Sequence, residues 1–469
     1  MTLMKRATQR IFRSFQVRNY RLFFWGQLVS VSGTWMQQLA QDWLVLRLTD
    51  RPLPVGITTA LQFAPVLVLG IWGGLVADRV DKRLLLVTTQ AVMGALALAL
   101  GILTATGSVR LWMIYLLALL LGCATSFDMP ARQAFVTEMV GPEHLPNAVG
   151  LNSAVFNAGR IIGPAAAGVL IAVVGLAPAF FVNAVSYLAV IAGLLLMRPA
   201  ELFRQPPLER MRGQVREGVR YAWATPTLRS TLVLMAIVAT FGLNFRVALP
   251  LLARFTFDGG PSLYGLLASM IACGSVVGAL VTASRARPTR SVLLWSVTAF
   301  GVTSLMAAVA PSPLLEAVVL VPLGFASIAA MATANSTVQL GSTAEMRGRV
   351  MSIYALLFIG SAPIGAILVG WLSERYGPRS SLVMGGVACL LAAAAAAAGD
   401  LRGWRAGGRA GHPGGHGSRH RLRRGRLRVV APPRGSSWAA CYDATSSASG
   451  RRRSRSPMPR RESRRIGGL

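Results

Sequence analysis

The chain has 469 residues, of which 53% are hydrophobic and only 14% charged, with a mean hydropathy of +0.52. Soluble domains carry about a quarter charged residues, so this composition excludes an ordinary soluble fold and indicates an all-α polytopic membrane protein. The net charge of +31 is unevenly placed: beyond residue 400 there are 18 Arg against Asp443 and Glu462. The rest sits mostly in short loops, where cations set membrane topology, so no nucleic-acid partner is implied.

In chain order, the first 20 residues are basic and polar with no apolar core, and no cleavable signal peptide is expected. Windows of about 20 apolar residues then predict twelve spans. They cover roughly 22–46, 54–77, 84–106, 111–129, 147–172, 175–197, 230–253, 263–283, 291–311, 314–336, 347–372 and 379–398. The fourth, fifth and tenth are interrupted by Gly, Pro, Asn and Thr. With the N-terminus inside, inner segments hold 22 Lys and Arg against six in outer loops, which places both termini in the cytoplasm. The longest connection, 198–229, is rich in Arg and Glu and has a helical stretch after Pro207. The expected organisation is therefore 1–197 as one six-helix bundle, 198–229 as a cytoplasmic linker, and 230–400 as a second bundle. Residues 401–469 are rich in Arg, Gly, Ser and Pro and are expected to be disordered. The tail's open readings are an electrostatic tether, a nonfunctional tail, or out-of-frame translation in GC-rich DNA.

The two halves echo each other. "VLGIWGGLVADRVDKRLLL" around the second span matches "GSVVGALVTASRARPTRSVLL" around the eighth. "RIIGPAAAGVLIAVVG" in the fifth matches "FIGSAPIGAILVGWLSERYG" in the eleventh. Such internal symmetry marks a duplicated transporter.

Several residues stand out against this apolar background. In the first span, "WMQQLAQDWLVL" places Gln38 and Asp42 four apart on one helix face. Asp42 is a candidate for coupling to protons, or else a hydrated interfacial acid. After the second span comes "GLVADRVDKR", with Gly74, Asp78, Arg79, Lys82 and Arg83. Gly74 permits close helix approach, Asp78 can receive a helix N-terminus or a cation, and the three cations can bridge to acids on neighbouring spans. The cluster reads as a conformational latch or as a topology anchor. "FDMPARQAFVTEMV" supplies Asp128 and Arg132, with Asp128 expected to face the basic turn at 79–83. Glu138 and Glu143 read as ordinary loop charges. In the fifth span, "GLNSAVFNAGRIIGPAAAG" carries Gly150, Gly159, Gly163, Pro164 and Gly168. Glycines open packing grooves, and Pro164 is expected to bend the helix.

The same stretch holds Arg160, about 20 Å in from Asn147 at 1.5 Å per residue. A mid-span Arg costs about 3 kcal/mol on insertion scales. Arg246 in "GLNFRVALP" is expected at similar depth, so the two suggest a positive central cavity for an anionic or amphipathic substrate. Asp42 is expected to pair with one of them. Asn157 and Asn244 are polar within spans, and each is open as an interhelical bond or a substrate contact. Four scattered Cys, and His mostly in the tail, give no metal site. No cofactor is expected.

On these motifs the chain resembles a major facilitator superfamily transporter. It is most similar to the exporter branch that includes the enterobactin exporter and the transmembrane secretion effectors. The resemblance covers about 10–398. It implies that the 74–83 cluster is the family's conformational latch, with Asp128 in its charge relay. It also implies that the fifth-span glycines are the family's exporter motif, which sets the direction of transport. Two departures stand out: Asp81 replaces a usual Gly, and the fourth span lacks the Arg that many proton-driven exporters carry. The expected function is secondary active export of a small molecule by alternating access, coupled to protons, by a monomer in the lipid bilayer of the bacterial inner membrane. A non-transporting sensor or scaffold is the alternative. No phosphate-binding loop for ATP and no clustered His or acids within spans point to an enzyme.

Overall fold

The computed structural model describes residues 13–203, 214–284 and 288–409. Residues 410–469, which hold nearly all of the expected disordered tail, lie outside this range, as do 204–213 of the linker. The first residues assigned to the tail, 401–409, continue the last helix.

The described residues are almost entirely helical. In chain order the helices are α1 (Arg18–Thr49), α2 (Pro52–Arg79), α3 (Lys82–Ala105), α4 (Leu111–Val174) and α5 (Ala177–Leu195). After the linker come α6 (Gln214–Ala224), α7 (Pro226–Ile237) and α8 (Phe245–Leu251). The last five are α9 (Pro261–Ala283), α10 (Arg290–Ala308), α11 (Pro313–Gly341), α12 (Ala344–Tyr376) and α13 (Arg379–Arg409).

Ten helices among the described residues are long and apolar enough to cross a membrane. Two physical points raise the crossings to the expected twelve. The 64 residues of α4 would reach about 96 Å if straight, three times a bilayer core, so α4 holds two spans. They divide at Gly141, whose φ of 67° and ψ of 177° are non-helical. The connection expected as a loop at 130–146 is thus helix on both sides of one glycine. Pro142 sits just beyond the break, where its missing N–H costs nothing. Helix α1 is long enough to span, but Gln27, Gln37, Gln38, Gln41 and Asp42 lower its hydropathy.

Two halves result, α1–α5 and α7–α13, each with a matching inner seam. Between α2 and α4 the glycines are reciprocal: a Cβ at Gly73 would collide with the Ser126 carbonyl, and one at Gly122 with that of Gln62. Between α9 and α11 the same occurs at Gly274 against Val321 and Gly324 against Ile271. Small residues let apolar helices touch backbone to backbone where lipid provides no hydrophobic drive.

The halves meet along two seams, α2 against α12 and the second span of α4 against α9. We call the end carrying the α2–α3 turn and the linker the linker face, and the other end the opposite face. The Arg51–Glu374, Arg246–Asp42, Tyr264–Asp42, Arg254–Asp50 and Ser262–Gly168 contacts tie the halves together on the opposite-face side of the molecule. At the α4–α9 seam a Cβ on Gly265 would sit 2.6 Å from the Pro164 carbonyl oxygen, and one on Gly168 would sit 3.3 Å from the Gly265 Cα. On the linker-face side, the same face of α4 is open: Val149, Ser153 and Phe156 are exposed, and a Cβ at Gly150 would meet nothing within 4 Å.

Candidate functional site

The linker-face cluster is built differently from its sequence reading. The α2–α3 turn is capped by Asp81, whose side chain accepts from the Leu84 N–H at 3.1 Å. The departure from the usual Gly is therefore an N-cap for α3. Lys82 pairs with Glu138 at 2.7 Å, and the two side chains are only 14% and 10% exposed. Arg83 donates to the Leu194 carbonyl at 2.6 Å and the Leu195 carbonyl at 2.9 Å, satisfying the end of α5. Asp78 and Arg79 lie on the last turn of α2, half-buried and exposed respectively. Gly74 is half-buried, and its neighbour Gly73 approaches the α4 backbone closely.

Asp128 does not face the basic turn. It is buried within α4 and collects donors from three sides: Thr89 at 2.9 Å, Gln90 at 2.7 Å and Arg132 Nε at 3.0 Å. Arg132 also bonds Gln27 of α1. The acid that meets the basic turn is Glu138, not the ordinary loop charge expected from sequence. The reason is helix length: α4 stays helical beyond Pro130, so Asp128 is drawn inward and Glu138 takes the end position. The same extension places Arg132 inside the fourth span, where the expected segment held no Arg. Removing Glu138 alone should leave Lys82 buried without a counter-charge and cost about 3 kcal/mol, while removing both partners should cost less. Thermal unfolding of Glu138→Ala against Lys82→Met/Glu138→Ala checks this; a double variant less stable than the single would refute it.

The second cluster bridges the halves. Asp42 on α1 is fully buried. Its Oδ2 accepts from the Tyr264 hydroxyl of α9 at 3.1 Å and from Arg246 Nε of α8 at 3.4 Å. The Arg246 guanidinium lies 5.9 Å above the Phe63 ring. Of the two expected cations it is Arg246 that meets Asp42. Arg160 is half-buried and makes no hydrogen bond or ion pair among the described residues.

Nor do they share a depth. At 1.5 Å per residue Asp42 lies about 10 Å from the end of α1 at the opposite face, whereas Arg160 lies about 21 Å from the end of α4. The seventh span explains the difference. It is broken at Leu243–Asn244 and carries π-helical turns at Val238–Gly242 and Leu252–Thr256. Pro250 offers no N–H to the Arg246 carbonyl, which loosens this part of the ladder. Asn244 donates to the Thr240 carbonyl at 2.7 Å, and a Cβ on Gly365 would press its amide at 2.6 Å. It serves the break and the packing of α12. Asn157 likewise donates to its own helix, to the Ser153 carbonyl at 2.8 Å. Gln38, half-buried, makes no hydrogen bond among the described residues.

Around the opposite-face rim, Glu374 of α12 accepts from Arg51 Nε at 3.1 Å and from the Leu53 N–H at 3.0 Å. Arg254 reaches Asp50 at 3.3 Å. The sequence reading missed these pairs, and it missed Tyr264 and Gly265; no local signal distinguishes "SLYGLL" from other span starts.

The fifth-span motif divides by position. Gly159 and Gly163 press on α1, where added Cβ atoms would lie 2.7 Å from Val31 Cγ1 and 2.6 Å from Trp35 Cβ. Gly168 presses on α9, and Gly150 faces open space. Backbone angles stay helical through Pro164, so the break in α4 is at Gly141.

Two six-helix halves, joined at small-residue seams with a buried charged bridge between them, define a transporter of the major facilitator fold. Solved structures agree on that fold. A bacterial homolog of the human lysosomal transporter Spinster aligns with a TM-score of 0.64 at 16% identity, covering 80% of this chain and 96% of that one. The nucleoside transporter NupG aligns at 0.67 and 14% identity, covering 82% and 99%. The chain belongs to the transmembrane secretion effector family, whose sequence profile matches residues 11–412. It is similar to the staphyloferrin A transporter of Staphylococcus aureus, 24% identical over 78% of this chain and 92% of that protein. It is also similar to the multidrug efflux pump Tap of Mycolicibacterium fortuitum, 27% identical over 77% and 91%. The enterobactin exporter EntS of Escherichia coli is 25% identical over 79% and 89%.

Proposed function

We propose that this transporter is a secondary exporter of a small amphipathic or anionic molecule. It works by alternating access across the bacterial inner membrane, with its linker face in the cytoplasm. One observation carries the reading: a single face of the second α4 span is packed against the other half at Pro164 and Gly168, yet open at Gly150, Ser153 and Phe156. A cleft open at the linker face and shut at the opposite face is one of the two shapes that alternating access requires. The loop charge supports a cytoplasmic position for that open side. Relatives that move siderophores and drugs support the outward direction. The Lys82–Glu138 pair and the Asp128 hub then act as struts that keep the first half rigid while it rocks.

Asp42 is the residue we assign to proton coupling. It is the buried acid at the bridge between halves, and its charge is what Arg246 and Tyr264 hold. Without that charge the bridge loses its ionic part, and the opposite face should open more readily. A deletion strain should accumulate the exported compound and gain drug sensitivity; unchanged metabolite pools and unchanged sensitivity would overturn the exporter reading. In membrane vesicles, Asp42→Asn should abolish the dependence of export on a pH gradient, with at least a tenfold loss by order of magnitude. Export by Asp42→Asn that still follows the gradient would remove Asp42 from the coupling role.

A further inference from the structure

We infer that Arg160 docks the carboxylate of an aromatic organic acid whose ring packs against Trp35 and Phe156 in the cleft open at the linker face. This rests on the transport reading above and names the substrate class for it.

Four observations converge. First, Arg160 lies near mid-membrane, and no acid among the described residues pairs with it. A guanidinium at that depth is costly without a counter-charge, and Asp42 is already engaged by Arg246. Arg160, about 10 Å deeper than Asp42 along the membrane normal, is thus a cation with no paired acid among the described residues. Second, Arg160 is reachable. It shares its helix face with Ser153 and Phe156, both exposed, on the side of α4 left open toward the linker face.

Third, an aromatic shelf stands one turn below it. Phe156, four residues before Arg160, is 50% exposed and meets Trp35 of α1 edge-on, with ring centroids 5.8 Å apart. Fourth, α1 offers a second polar group at matching height. Gln38 stands one turn above Trp35, half-buried and without a hydrogen-bond partner among the described residues. Trp35, Gln38 and Asp42 share one face of α1, the face that Asp42 turns to the other half. An aromatic body stacked on one of these rings and edge-on to the other can bring its acidic end to Arg160 and Gln38. A guanidinium fork matches a carboxylate with two parallel hydrogen bonds, and the Gln38 amide can donate or accept beside it.

The test uses the full chain in lipid nanodiscs and fluorine NMR of two isosteric probes, para-fluorobenzoate and para-fluorobenzamide. Wild type should broaden the benzoate signal and leave the benzamide nearly sharp, a comparison that needs no variant. Arg160→Gln should weaken benzoate binding at least about tenfold, with Arg160→Lys between the two. Phe156→Leu, at an exposed site where folding is undisturbed, should weaken it about threefold. Equal binding of the amide, or unchanged benzoate binding by Arg160→Gln, would overturn the inference. The two readings also fail separately. Loss of benzoate binding beside an intact deletion phenotype sinks this site alone. Benzoate binding beside an absent deletion phenotype sinks export alone.

Discussion

Gly265→Val is expected to fold, reach the membrane and export poorly. Gly265 lies on α9 where that helix crosses α4, and an added Cβ would stand 2.6 Å from the Pro164 carbonyl oxygen and 3.1 Å from the Gly168 Cα. Those neighbours are backbone, so no side chain can swing away. The clash falls between the halves, not within either, and the inner seams at Gly73 and Gly274 are untouched. Overpacking of this kind costs about 1–3 kcal/mol, enough to lower the closed-to-open ratio at the opposite face by about 5- to 150-fold. Export of the compound that accumulates in the deletion strain, normalised to the amount of protein in the membrane, should fall by a similar factor. Gly265→Ala should fall less. Export by Gly265→Val at the wild-type rate would show that this seam does not need to close.

Asp128→Ala should be the most destabilising single change in the first half. Its side chain is 6% exposed and gathers Thr89, Gln90 and Arg132 into one network across α3 and α4, with α1 joined through Gln27. Truncation leaves a largely buried guanidinium without its counter-charge and the Gln90 amide without its acceptor, while Thr89 keeps the Leu86 carbonyl. Breaking a buried pair in this way costs about 3–5 kcal/mol. Substituting Arg132→Met as well should recover part of the loss, because the stranded cation is the larger share of the penalty. Thermal unfolding in detergent measures both. If Asp128→Ala melted within a degree or two of wild type, the network would be an ornament of the fold and not a strut.

The spans were legible because apolar length is a strong signal, and the loop cations set their order. The first span could be found from sequence even though five polar side chains from Gln27 to Asp42 dilute it. The end of the fourth span could not. Pro130 reads as a terminator, yet the helix passes through it and breaks eleven residues later at Gly141. That shift exchanged the roles of Asp128 and Glu138. Asp42 was visible as an acid in a span, but its partner was not. Whether Arg160 or Arg246 meets it depends on how the broken seventh span turns its side chains, and π-helical turns leave no periodic trace. The fifth-span glycines were visible as a set. That Gly159 and Gly163 serve α1 while Gly168 serves the other half depends on which helix lies opposite. Gly265 had no signal at all, because one small residue at a span start looks like any other.

Three glycines add a last consequence. Gly70, Gly150 and Gly348 all lie in helices, and a Cβ on any of them would meet nothing within 4 Å. In a helix interior glycine is worse than alanine by about 0.5–1 kcal/mol, so for this shape alone each is a poor choice of residue. All three stand toward the linker face, on α2, α4 and α12, the helices that form the seams between halves. If the halves rock as proposed, these positions become crowded in the shape where the linker face shuts. A protein optimised for rigidity in one conformation would lose them first. On that proposal their presence reflects a compromise between two arrangements of the same helices, and alanine at these sites should raise thermal resistance while slowing export.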